Sequence, residues 1–110
     1  MKIAFPTNDR INIATRTGRC KEFAIADINH DNVKYTYILN PHEHNHNHHD
    51  EKEHSHSHSD LVKVLDGIDA LYVLNVGKNM MRDLENGHIP YIKVEEENIS
   101  EIVNNLKKDI

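Results

Sequence analysis

The chain predicts an α/β domain: a mixed five-stranded sheet with helices packed on it, in the order β-β-β-α-β-α-β-α. Three observations lead there. Two β-rich runs, from Phe23 to Ile28 and from Val33 to Leu39, flank the turn cluster Asn29 to Asn32, as a hairpin requires. The stretch from Ile68 to Val94 reads as strand, helix, strand, so its two strands should be parallel. From Asn98 onward, a capping pattern precedes apolar residues at helical spacing.

The elements follow in order. Lys2 to Phe5 is an apolar run closed by Pro6, whose missing N–H should stop ladder pairing. Thr7 to Lys21 is a polar loop in which Ile11 and Ile13 are expected to be buried, and loops of this length in small domains are often functional. In the third strand Val33, Tyr35, Tyr37 and Leu39 alternate with Lys34 and Thr36, which leaves one face wet. Ser59 or Asp60 can cap a helix carrying Leu61, Val62, Val64 and Leu65, with Asp66 and Gly67 as its end. Ile68 to Leu74 is nearly continuous in apolar residues, as suits a strand covered on both faces. Gly77 breaks it, and Lys78 to Glu85 places Met80, Met81 and Leu84 at helical spacing, as core filler, ahead of the stop at Asn86 and Gly87. Pro90 makes the last strand, Ile89 to Val94, an edge strand. The final helix holds Ile99, Ile102, Val103 and Leu106 on one side, and Lys107 and Lys108 suit its C-terminus.

Composition narrows the function. The chain has 110 residues, a single-domain length, with a His-rich insertion at 41–59. Its formal net charge is −5 and it has no basic run, which argues against nucleic acid as a partner. The N-terminus is neither a signal sequence nor a membrane span, and a cytoplasmic protein is expected. The single cysteine, Cys20, rules out an internal disulfide and cannot alone supply the four thiolates of a typical iron-sulfur cluster.

Eight of the ten histidines lie between His42 and His58: His42, His44, His46, His48, His49, His54, His56 and His58. Neutral imidazole ligates zinc, nickel, copper and iron, and His-x-His spacing in an extended segment puts alternate rings on one side. Glu43, Asp50, Glu51 and Glu53 add carboxylates, and Asp50 to Glu53 could turn the two histidine groups onto one ion. The competing reading is a solvated insertion that chelates weakly while shifting among coordination modes. The internal position and the interleaved Asn and Ser argue against a purification tag.

If the first three strands form a meander and the fourth lies parallel beside the first, three connections leave one end of the sheet. These are the loop 7–21, the His-rich loop and the turn Asn75 to Gly77. Open α/β sheets bind ligands at such a rim. The rim would then carry Asn8, Arg16, Arg19, Cys20, Asn75 and Gly77 beside the imidazoles. Arg19 and Lys21 would favour a Cys20 thiolate, a half-buried thiol being the alternative, and Arg16 and Arg19 could hold an anion or simply be solvated. Gly77 could expose helix N–H groups to an anion, though a tight turn alone would explain it. A ribonuclease H-type nuclease would need carboxylates on strands one and four. Strand one has none, and Asp69 lies at the wrong end of strand four. Covalent catalysis has no recognisable nucleophile and base pair.

Several of these motifs resemble the dinitrogenase iron-molybdenum cofactor biosynthesis family. Lys2 to Thr7 is similar to its opening strand, and Gly18 and Arg19 with Phe23 are similar to its Phe-Gly-Arg loop. Asn40, Pro41 and His42 match the point where members carry a variable loop, and Val76 to Ile89 resembles the glycine turn, helix and final strand. The resemblance implies a ribonuclease H-like fold. It also implies binding, carrying or handing on an iron-sulfur or iron-molybdenum cluster, with no reaction catalysed and a cofactor-assembly protein as partner. Arg16 stands where that family's loop usually has histidine. The alternative function is a divalent metal buffer or delivery protein, for zinc or nickel, acting through the His-rich loop.

Overall fold

Residues 1–41 and 61–109 are described in the computed structural model. The five strands are β1 (Lys2–Thr7), β2 (Glu22–Ile28), β3 (Val33–Leu39), β4 (Ala70–Val73) and β5 (Tyr91–Lys93). They form one sheet in the order β3-β2-β1-β4-β5. The first three are an antiparallel meander, and β4 runs parallel to both β1 and β5. This is the predicted mixed sheet, with β1 at its centre and β5 at an edge.

Pro6 lies inside β1, not beyond its end, in register with Phe23. The reason is directional. The Lys2 carbonyl accepts from Asp69 N–H, so even-numbered residues of β1 turn their backbone toward β4. The β1–β4 ladder covers only Ile3 and Ala4. At Pro6 the missing N–H therefore meets no ladder, and its carbonyl accepts from Ala14 at 2.7 Å.

Alternation along the strands sends residues to two cores. Ala4, Phe23, Leu71 and Val73 face a layer with Leu61, Leu65, Met80 and Leu84, which come from helices α1 (61–64) and α2 (Lys78–Asn86) and the turn after α1. Ile3, Phe5, Ala24, Ala26 and Ile28 face Ile99, Ile102 and Val103 of α3 (Ile99–Lys108). A sheet buried on both faces explains the continuous apolar runs of β1 and β4. Ser59 and Asp60, the predicted caps of α1, lie outside the described residues. After α1 the chain reverses at Gly67, whose φ of 84° is a conformation that side chains disfavour. The Asn98 side chain caps α3 by accepting from Glu101 N–H at 3.0 Å. The reciprocal half of the capping box is absent, since Asn98 N–H goes to Glu96 at 3.0 Å.

Two expectations about burial are corrected. Ile11 is 59% exposed, whereas Ile13 is buried. Asp9 Oδ1 accepts from both Ile11 N–H and Asn12 N–H at 2.9 Å, and Arg10 takes a φ of 66°, so the chain turns Ile11 outward before Ile13 re-enters. Leu39, placed by alternation on the inner face of β3, is 57% exposed. β3 is the outer strand, and α3 packs across β2, so its cover does not reach the end of β3.

Candidate functional site

The carboxyl ends of β1, β3 and β4 lie at the same end of the sheet, as the assumed strand order required. A 3-10 turn (Thr17–Arg19) interrupts the loop after β1, and it is tied to the segment after β4 by one buried side chain. Thr17 Oγ1 donates to the Asn75 carbonyl at 2.7 Å, and Thr17 N–H donates to the same oxygen at 3.4 Å. Behind it, the Asn40 side chain at the end of β3 donates to the Cys20 carbonyl at 2.9 Å and reaches the Gly18 carbonyl at 3.4 Å. Asn40 is 0% exposed, so these bonds replace water that it would otherwise lack.

The two tied segments form the walls of a cleft of about 640 Å³, lined by Arg16, Thr17, Gly18 and Arg19 on one side. Asn75, Gly77, Lys78, Asn79 and Met80 line the other. Met80, one of these lining residues, is buried and also belongs to the core layer. Gly77 is the N-cap of α2, with φ −75° and ψ 167°, a conformation open to any residue. A Cβ there would meet nothing within 4 Å. Neither steric crowding nor a tight turn explains this glycine; what it does is leave the start of α2 uncovered. That helix has no side-chain cap and no acidic residue in its first turn, and it begins with Lys78. A lysine there opposes the helix dipole, so positive potential accumulates at this wall. No carboxylate, imidazole or thiol is among the described residues that line the cleft. The donor set is three cations, two amides and backbone N–H groups, which fits the negatively charged outer atoms of a ligand.

The structure sorts the rim residues predicted from sequence. Arg16, Arg19, Asn75 and Gly77 line the cleft together. Asn8 stands at the same end of the sheet but outside the cleft, where its Oδ1 accepts from Lys21 N–H at 2.9 Å and it borders a shallower hollow with Asp9 and Thr15. Cys20, expected on the rim, is 0% exposed and belongs to the core layer beneath α1 and α2. The 3-10 turn ends just before it and β2 starts just after it, so its side chain is carried inward with Phe23. The predicted imidazole ligands His42, His44, His46, His48, His49, His54, His56 and His58 lie outside the described residues. Among the described residues no group of three or more His, Cys, Asp or Glu gathers in a way that could hold a metal ion. Sequence reading missed Thr17, Lys78, Asn79 and Asn40. Only Lys78 left a signal, as a basic residue at the start of a helix where acidic ones are favoured.

A second polar cluster lies along the β2–β3 side. Arg10 Nε donates to Glu22 Oε1 at 2.6 Å, and its guanidinium lies 4.1 Å from the Tyr37 ring centroid. That bond to Arg10 holds the Glu22 carboxyl below its ordinary value. Asp9 is likewise held low, by the Asn12 and Ile11 N–H groups. Asp69 accepts from Lys2 N–H at 2.8 Å, at the rim opposite the cleft, so strands β1 and β4 bring no carboxylate pair together.

Fold and cleft together define a small α/β domain with a cationic, ligand-sized recess at the carboxyl end of its central strands. The chain belongs to the family described as dinitrogenase iron-molybdenum cofactor, whose model matches residues 1–109. Among solved structures it is similar to the apo form of the orange protein from Desulfovibrio gigas (TM-score 0.67, 17% identity, covering 98% of this chain and 88% of that one). It is also similar to a Methanocaldococcus jannaschii protein put forward as a dinitrogenase (TM-score 0.66, 19% identity, 99% and 89%). A Thermotoga protein put forward as a NifB protein has a TM-score of 0.59 at 20% identity, with 97% and 87% covered. At these identities the likeness concerns the fold. No curated protein sequence matches. Among the described residues no helix is long and apolar enough to cross a membrane.

Proposed function

We propose that the chain binds and carries a metal cofactor of iron-sulfur or iron-molybdenum type during cofactor assembly, catalyses no reaction itself, and exchanges the cofactor with an assembly protein. The observation that carries this reading is the cleft, lined by Arg16, Arg19 and Lys78 at the uncovered start of α2, in a family connected with the iron-molybdenum cofactor. A metal-sulfur cluster with a net negative charge is cargo of suitable size and sign. Anaerobic reconstitution with iron, sulfide and molybdate should give a visible chromophore that comigrates with the protein. The charge reversal Arg19→Glu should abolish it while leaving thermal unfolding unchanged; a chromophore of equal yield in that variant would refute the assignment to the cleft.

Delivery of zinc or nickel through the His-rich loop is a second reading, favoured by one observation. The insertion joins β3 to α1, and Asn40 just before it is bonded to the cleft wall. Deleting residues 42–58 should remove zinc or nickel binding without altering the fold, and unchanged stoichiometry would sink this reading.

A further inference from the structure

We infer that the outer edge of β3 is the interface of a homodimer, in which two copies of the chain join antiparallel about a two-fold axis at Thr36 and merge their sheets. Asn40 N–H donates to the Lys21 carbonyl at 3.0 Å, so the even-numbered residues at this end of the hairpin turn their backbone toward β2. Val33, Tyr35, Tyr37 and Leu39 therefore turn theirs outward, and among the described residues no strand lies beyond them. Such a row of outward N–H and C=O groups is a template for another strand.

The two edges of the sheet differ in how they resist this. β5 has three residues, follows Pro90 and ends on Lys93, all of which blunt an edge. β3 has seven residues, contains no proline and pairs with β2 without a skipped residue, so no bulge bends it away. Its one charge, Lys34, stands opposite Asp27 of β2. Tyr35 and Leu39 are among the exposed large apolar side chains.

The sequence of β3 identifies the occupant as a second copy. Reversed against itself about Thr36, the strand sets Val33 opposite Leu39 and Tyr35 opposite Tyr37 of the second copy, and only this register pairs all seven residues. In each of these pairs both backbones face the seam, so two hydrogen bonds are exchanged. Val33 and Tyr37 pack against the α3 core layer, and alternation puts Tyr35 and Leu39 on the same face. Aromatic thus meets aromatic and aliphatic meets aliphatic across the seam. On the other face Lys34 falls opposite Ile38, leaving the two copies' Lys34 residues roughly 14 Å apart, beyond the screening length at about 0.1 M salt. One strand edge per copy is a small contact, so association is reversible, with a dissociation constant on the order of 10–100 µM. No residue of β3 lines the cleft, and β3 runs in the same direction as β1, so the dimer leaves both clefts open at opposite ends of the joined sheet.

The test follows the mass of the full-length chain by sedimentation from about 1 to about 500 µM, with chelator present so that metal cannot bridge the histidines of two copies. A reversible rise from one chain to two is expected. Thr36 is exposed and lies on the axis, so Thr36→Lys and Thr36→Glu each set like charges directly opposite one another. Each should weaken the dimer about fivefold or more while leaving thermal unfolding at the lowest concentration unchanged. Mixing the two variants should restore a dimer at least as tight as the parent, which only a seam that brings position 36 against itself can do. Ile92→Lys, on the β5 edge, should change nothing. A chain that stays monomeric across the range, a dimer that ignores both Thr36 substitutions, or a mixture no tighter than either variant alone overturns the inference.

Discussion

Replacing Gly87 with alanine tests whether the contact between α1 and α2 is as close as the structure makes it. Gly87 follows α2 with φ −86° and ψ 1°, which alanine adopts without strain. Judged by the backbone alone, Gly87→Ala should stabilise by about 0.4–1 kcal/mol, because the unfolded chain loses freedom. Packing opposes this. A Cβ at position 87 would sit 2.6 Å from Val62 Cγ2 in α1, and 3.5 Å from Ile89 Cδ1. Only the first distance is a clash. The methyl of Val62 sits on a stiff, β-branched side chain packed against the core, so relief requires moving α1 or α2. Overpacking of this kind costs about 1–3 kcal/mol. The larger effect wins, leaving a net loss of roughly 1 kcal/mol and a fall in Tm of about 4–8 °C. Thermal and urea unfolding of Gly87→Ala, Val62→Ala and the double variant would measure it. Once Val62 Cγ2 is gone, adding the Cβ should be neutral or stabilising. If Gly87→Ala alone is neutral or stabilising, or if the two substitutions are additive, the two helices do not meet as closely as described.

Two further outcomes follow from the local chemistry. Asn98→Ala removes the side-chain cap of α3 and should cost about 1 kcal/mol in urea unfolding, with Asn98→Asp largely preserving stability; an unchanged midpoint for the alanine variant would refute the cap. The Asp9 and Glu22 carboxyls are both held below their ordinary values, so the stability they contribute is present above the unfolded carboxylate range, near pH 4, and is lost as pH falls through the lower folded values. Asp9→Asn keeps an acceptor for Ile11 and Asn12 but removes the charge. It should be less stable than the parent at pH 7 and converge with it in acid. Parallel stability curves across that range would show that the charge at Asp9 contributes nothing.

Helical spacing and caps are written in neighbouring residues, which is why α2 and α3 were legible from Met80, Leu84, Ile99, Ile102 and Val103. Strand identity was legible too, from alternation in β3 and apolar continuity in β4. The end of the sheet that carries the cleft followed once β4 was assumed to lie parallel beside β1, which is the order the sheet has. Whether a residue near the rim faces the cleft or the core depends on backbone direction over two or three residues, and local pattern does not encode that. Cys20 and Arg19 are adjacent in sequence, yet one is sealed in the core and the other lines the cleft, because the 3-10 turn ends between them. Ile11 and Leu39 are as apolar as Ile13, but their exposure was decided by the outward turn at Asp9 and by how far α3 reaches across the sheet. Asn40 gave no sign in the sequence beyond ending a strand. Burial made it a tie between β3 and the cleft wall, since a buried amide must find its hydrogen bonds wherever the tertiary structure supplies carbonyls.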